Sequence, residues 1–204
     1  MILRPEHRDP DLYLASRSPR RAELLRTLGV EFALLDIDID EDVAPGEAPR
    51  DYVLRLAREK AAAGRMLCAG RAPVLGADTS VVVDGAILGK PADEAELRDM
   101  LGRLSGRWHE VYTGVALAGI VPGETCVGTR VHMRVITMEE IRCYWASGEP
   151  RDKAGGYAVQ GLGGAFVDRL EGSWSNVVGL PLVETAGLLV AAGVSYALAP
   201  RQRV

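Results

Sequence analysis

The sequence predicts an α/β fold, a mixed twisted sheet with flanking helices. Three observations carry the prediction. A short apolar run, Leu12 to Ala15, is followed by a capped helical stretch and then a second strand-like segment, the pattern of a crossover connection. Asp84-Gly85 separates two apolar runs, a two-residue signal for an antiparallel hairpin. Two further strand-like runs meet around Pro122-Gly123, so hairpins and helical crossovers share one chain.

The elements follow in order. Leu12 to Ala15 suits a buried strand. Ser18 is a good N-cap and Pro19 suits the first helical position, while Ala22, Leu25 and Leu28 recur at helical spacing and Gly29 can close the helix. Phe32 to Asp40 alternates and reads as a strand. Arg50 to Leu67 reads as a helix with Val53, Leu56, Ala57 and Ala61 on one face. Pro73 to Val83 is an apolar strand, turned at Asp84-Gly85 into Ala86 to Leu88. Asp93 caps a helix to about Leu104. Val111 to Ile120 and Cys126 to Ile136 are strands, and Thr137 or Met138 opens a helix to about Ser147. A glycine-rich loop, "EPRDKAGGYAVQGLGG", precedes a strand at Ala165 to Leu170 and a last apolar helix at Val177 to Ala192.

At 204 residues and 48% hydrophobic the chain has material for one core, so residues 1–11 are expected as a polar extension and 12–204 as a single domain. A net charge of −4 gives no broad basic field, which disfavours nucleic acid as a partner. Cys68, Cys126 and Cys143 form no CxxC pair, arguing against a zinc knuckle or a disulfide framework and fitting a reducing compartment. No stretch has the length of a membrane span and the N-terminus lacks an apolar signal core, so a cytoplasmic location is expected.

Several residues break their local pattern. Arg20 and Arg21 fall in a first helical turn, where free N–H groups already carry positive character. A solvated helix start that tolerates the clash is one reading; an anion held by the N–H groups, the serine hydroxyls and two guanidinium forks is the other. Asp78 interrupts an apolar strand, where an unpartnered carboxylate is costly. In "LDIDIDEDV", Asp36, Asp38 and Asp40 share one face and Ile37 and Ile39 the other, with Glu41 continuing the isoleucine face. Lys60 lies on an apolar helical stripe, where snorkelling is the plain alternative to a site role. "GAILGKP" fails as a phosphate loop on glycine spacing, on the absent Ser/Thr after Lys90 and on its hairpin context. His7, His109 and His132 are scattered, and no GxSxG occurs. Cations with two carboxylates suit a polyphosphate and a divalent metal.

The segments "LASRSPRRAELL", "LAREKA", "VLGADTSVVVDGAILGKP", "LSGRWHEVYTGV", "DKAGGYAVQG" and "GSWSNVVGLPL" together resemble the Maf family of nucleoside triphosphate pyrophosphatases, collinearly from about Leu12 to Gly193. The resemblance implies a fold related to the inosine triphosphate pyrophosphatases, with the site in a cleft between two lobes. It implies hydrolysis of a nucleoside triphosphate to monophosphate and pyrophosphate, with Mg²⁺ or Mn²⁺, often in a homodimer. By motif, Asp78 resembles the family's proton acceptor, and Ser18, Arg20, Arg21, Lys60 and Lys90 its phosphate-contacting set. Glu41, with Asp78, falls on the metal side. Arg20, Thr79 and Gln160 resemble positions tied to substrate choice, and "AVQG" is similar to the branch acting on dTTP and UTP rather than 7-methyl-GTP. A carboxamide can complement the donor and acceptor edge of uracil or thymine. Arg17, Ala158 and Trp174 depart from the family pattern; Trp174 would stack on a base or fill the lobe junction. The competing expectation is a septation-related regulatory protein that binds partners or senses nucleotides without turnover, but the intact polar set argues against a vestigial site.

Overall fold

The computed structural model describes residues 10–68 and 72–199. Most of the expected N-terminal extension, residues 1–9, lies outside the described residues. One seven-stranded sheet runs β2-β1-β3-β5-β6-β7, with β4 on β3. Strand β1 (Leu12–Ala15) leads into α1 (Pro19–Thr27), which returns to β2 (Phe32–Leu35). Helix α2 (Pro49–Leu67) crosses to β3 (Val74–Val83), which turns into β4 (Ala86–Leu88). The turn has Asp84 at φ 52° and Gly85 at φ 75°, the left-handed pair a two-residue hairpin requires. Helix α3 (Glu94–Leu104) is capped by Asp93, whose Oδ1 accepts from Glu96 N at 2.8 Å. The hairpin β5 (Trp108–Ala118) and β6 (Gly123–Met133) follows, then α4 (Met138–Ala146), opened by a capping box between Thr137 and Glu140. Three 3₁₀ turns between Glu149 and Phe166 lead to β7 (Val167–Glu171), α5 (Trp174–Val178) and α6 (Leu182–Ala191).

The sheet is mixed, as expected. β1 pairs in parallel with β2 and β3; the pairings of β3 with β4 and β5, of β5 with β6 and of β6 with β7 are antiparallel. Two large hydrophobic clusters lie along one face of the sheet, at opposite ends of β3, and α2 covers the other face. One joins Leu12, Leu14, Leu25, Leu75, Ala77, Val115, Leu180 and Leu189. The other joins Val81, Leu88, Leu97, Leu101, Val111, Ile141, Tyr144 and Phe166.

Two expectations are corrected. The strand expected over 32–40 ends at Leu35, because its partner β1 is four residues long and turns into α1 after Ala15. The helix expected over 177–192 is two helices. Gly179, at φ 124°, breaks the chain, and Leu182 N donates to Ser175 Oγ at 3.1 Å to start the second. Asn176 fixes the first by donating to Val111 O at 3.0 Å and to Thr129 Oγ1 at 2.9 Å.

The register explains where a cleft can form. On one edge of β3, β1 covers Val74 to Gly76 and β4 covers Val81 to Val83. Residues 77–80 between them have no strand partner on that edge among the described residues. Asp78 and Thr79 occupy this gap, beside the carboxyl end of β1 and the start of α1, where open α/β sheets place their ligands.

Candidate active site

Alternation along β3 decides which neighbour each side chain meets. Gly76 lies under α2, and Asp78, two residues on, points the same way; Thr79 points toward α1. Lys60 sits on the buried stripe of α2 and places its ammonium 2.6 Å from Asp78 Oδ1 and 2.6 Å from Glu41 Oε1. This is an ion-paired lysine rather than a snorkelling one. Asp78 and Lys60 are both buried, at 8% and 7% exposure, so each needs the other.

Glu41 arrives on irregular chain, not on the strand expected there. Tyr52 of α2 anchors it, donating from Oη to Glu41 O at 2.8 Å. Burial raises the Glu41 carboxyl's pKa, but the bond and charge of Lys60 and the charges of Lys90 and Arg21 outweigh it and hold the group below its usual range. Lys90, after β4, lies 3.9 Å from Glu41 Oε2. Burial, then the charges of Asp78 and Glu41, push the Tyr52 hydroxyl up to about 12.

On the other wall, Ser18 caps α1 by accepting from Arg21 N at 3.4 Å. Arg21 donates from Nε to Gly179 O at 2.8 Å, from Nη2 to Thr79 Oγ1 at 3.0 Å and from Nη1 to Ser16 Oγ at 3.5 Å. Burial lowers its pKa, opposed by the charge of Asp78. Thr79 Oγ1 also shares a 3.0 Å bond with Thr113 Oγ1, so its rotamer is fixed from both sides. Arg20 reaches across to Asp152 Oδ2 at 3.2 Å.

Ser18, Arg20, Arg21, Glu41, Lys60, Asp78, Thr79, Lys90 and Gln160 therefore line one cleft of about 700 Å³. Gln160 lies in the glycine-rich loop and is exposed at the rim of the cleft. Arg17 also lines the cleft, but Asp36 and Asp38 bind it at the surface. Trp174 opens α5, is 49% exposed and is outside the cleft lining. Tyr52, Asp152 and Lys153 are cleft residues the sequence reading did not single out, and Ser16 entered it only as one of the two serine hydroxyls beside the arginines. The adjacent unlike charges of Asp152-Lys153 at the head of the glycine-rich loop were the available signal.

A cleft with cations on both walls and carboxylates at its floor can seat a polyanion beside a carboxylate able to accept a proton. The chain belongs to the Maf family: the model of the family described as Maf-like protein matches residues 11–192. It is similar to the dTTP/UTP pyrophosphatase of Methylobacillus flagellatus, at 53% identity over 90% of this chain and 94% of that protein. It is likewise similar to those of Hahella chejuensis, at 53% identity over 90% and 92%, and Methylococcus capsulatus, at 50% over 93% and 94%. Among solved structures, a nucleoside-triphosphatase, dITP/XTP pyrophosphatase, of Mycobacterium abscessus overlays 61% of this chain and 74% of its own, at 24% identity and a TM-score of 0.39.

Proposed function

We propose that this protein hydrolyses dTTP and UTP to the nucleoside monophosphate and pyrophosphate, removing these nucleotides from the pool. The observation that carries the reading is the Glu41–Lys60–Asp78 cluster facing Arg21 in a cleft of nucleotide size. Relatives at about half identity bear the name of that activity, which supports it.

In this reading Lys60 holds Asp78 in place through Oδ1, and the second carboxylate oxygen orients a water and takes its proton. Arg21, Arg20, Ser18 and Lys90 offer donors to the phosphate oxygens, and the prepaid orientation of Arg21 on Thr79 and Gly179 limits reorganisation during the reaction. Gln160 presents a donor and an acceptor to the base, with Arg20 and Thr79 shaping the same space.

A divalent cation, Mg²⁺ or Mn²⁺, belongs to the proposal. No group of three His, Cys, Asp or Glu that could hold one occurs among the described residues. Glu41 and Asp78 nevertheless fit, because Mg²⁺ is commonly held by one or two carboxylates plus substrate phosphates. When bound, it would polarise phosphoryl oxygens and offset their charge. The proposal extends to a homodimer acting in the cytoplasm on free nucleotides; no described helix is long and apolar enough to cross a membrane.

The test is a panel of nucleoside triphosphates with either metal, with products resolved by chromatography. Monophosphate and pyrophosphate from dTTP and UTP are expected. Preference for 7-methyl-GTP would remove the role given to Gln160, and no turnover of any nucleotide would overturn the enzymatic reading.

A further inference from the structure

Asp152 and Lys153 have no part in the hydrolysis just described, yet both line the cleft. They stand at the head of the glycine-rich loop, on the wall facing α1. Asp152 accepts from Arg20 Nη1 through Oδ2 at 3.2 Å, and its Oδ1 is bonded to Lys153 Nζ. The Lys153 side chain is 13% exposed, whereas that of Asp152 is 63% exposed. A water-facing carboxylate thus ties together cations from two walls.

The lysine's position is held by backbone. Gly155 N donates to Gly89 O at 2.8 Å and Gly156 N to Lys153 O at 3.0 Å. Both glycines have positive φ, and a Cβ on either would lie within 3 Å of Val81 or Leu97. One residue further, Tyr157 Oη shares a 2.7 Å bond with buried His109 Nε2.

Arg20 and Lys153 therefore form a two-sided seat whose resident anion is a side chain. Ion pairs open to water are weak, so a phosphate with more charge and more oxygens can take the place of this one.

We infer that Lys153 is a further cation for the polyphosphate chain, and that Asp152 occupies the anion seat between Arg20 and Lys153 until phosphate displaces it. The inference rests on the nucleotide reading of this cleft. It makes Asp152 a competitor of substrate and of released pyrophosphate, a positioning residue rather than a catalytic one.

Calorimetric titration of the full chain with inorganic tripolyphosphate in metal-free buffer reads the seat without a base or turnover. Lys153→Met should weaken binding roughly tenfold, the loss of one charge-assisted contact. Asp152→Asn keeps the shape and removes the competing charge, so it should tighten binding several-fold; with dTTP it should lower KM and kcat together as pyrophosphate leaves more slowly. A merely structural role would weaken both variants alike. Unchanged binding in Lys153→Met, or weaker binding in Asp152→Asn, overturns the inference. If no nucleotide is hydrolysed but the two variants still shift tripolyphosphate binding in opposite directions, the enzymatic reading fails and the inference stands.

Discussion

Lys60 is the side chain on which the cleft's charges are organised. It lies at one end of two carboxylates, Glu41 and Asp78, that would otherwise repel each other. Asp78→Asn keeps the shape and the Lys60 contact but removes the base. Turnover of dTTP should fall roughly 100- to 10,000-fold, the usual worth of a general base, while equilibrium binding of dTTP persists. Turnover at the parent rate would take Asp78 out of that role. His109 makes a separate prediction about stability. It is 3% exposed, and burial, then the charge of His132, push its pKa down to about 4 from an ordinary 6.5. Below pH 6.5 the unfolded chain takes up a proton that the folded one refuses until about pH 4. Stability should therefore drop as pH falls through that window, by about 3 kcal/mol, and level off below it as far as this group is concerned. Urea denaturation at steps across the window checks this against His109→Gln, which should be less stable at neutral pH but lose less on acidification. An identical acid loss in both proteins would exclude His109 as its source.

Helix α2 can present Lys60 to Asp78 only because it lies unusually close to the sheet. A Cβ on Gly76 would meet Ala57 O at 2.3 Å and Ala61 N at 2.5 Å, and one on Gly114 would meet Val53 O at 2.3 Å. Gly76→Ala should therefore lift the helix. The expected cost is at least about 1–3 kcal/mol in denaturant unfolding, the range for overpacking, together with a loss in kcat/KM, because the displaced helix carries the lysine. A fully active Gly76→Ala protein would show that the close approach is not needed by the site. This approach was not visible in the sequence, because it depends on how two segments distant along the chain pack together. What was legible depended on local causes. The Ser18 and Asp93 caps, the Asp84-Gly85 turn and the apolar stripe of α2 are written in neighbouring residues, and they fall where expected. The end of β2 depends on the length of β1, a distant segment, so alternation through Asp40 misled. Asp78 and Lys60 stood out as charges on apolar faces. Asp152 and Lys153 sat in an already polar, glycine-rich stretch and gave little contrast. The break at Gly179 and Pro181 was locally written and was overridden by the apolar run around it.

The molecule as a whole carries a net charge of −4, yet Arg20, Arg21, Lys60, Lys90 and Lys153 converge on one cleft. Most of these cations rest on carboxylates, and the described contacts of Arg21 are to neutral acceptors apart from its longer-range attraction to Asp78 and Glu41. The two hydrophobic clusters meet β3 at different heights, Leu75 and Ala77 in one and Val81 and Val83 in the other, with Thr79 of the cleft between them and Val159 packed against both. A polyanion seated in the cleft would contact α1, the Glu41 segment and the glycine-rich loop together. It binds the folded chain and not the unfolded one, so it must stabilise the whole. At one hundred times its Kd the linkage amounts to about 2.7 kcal/mol. For a domain of this size that corresponds to a rise in Tm of about 5–11 °C. Thermal unfolding monitored by circular dichroism, with pyrophosphate or dTTP added to Asp78→Asn so that little is consumed, reads the effect. The rise should shrink at high salt, since the seat is polar and open and its attraction is screened beyond a few ångströms. A single transition that moves upward as a unit would show that the ligand couples both clusters. Two transitions, of which only one responds, would place the binding energy in one of them and leave the other independent of the site.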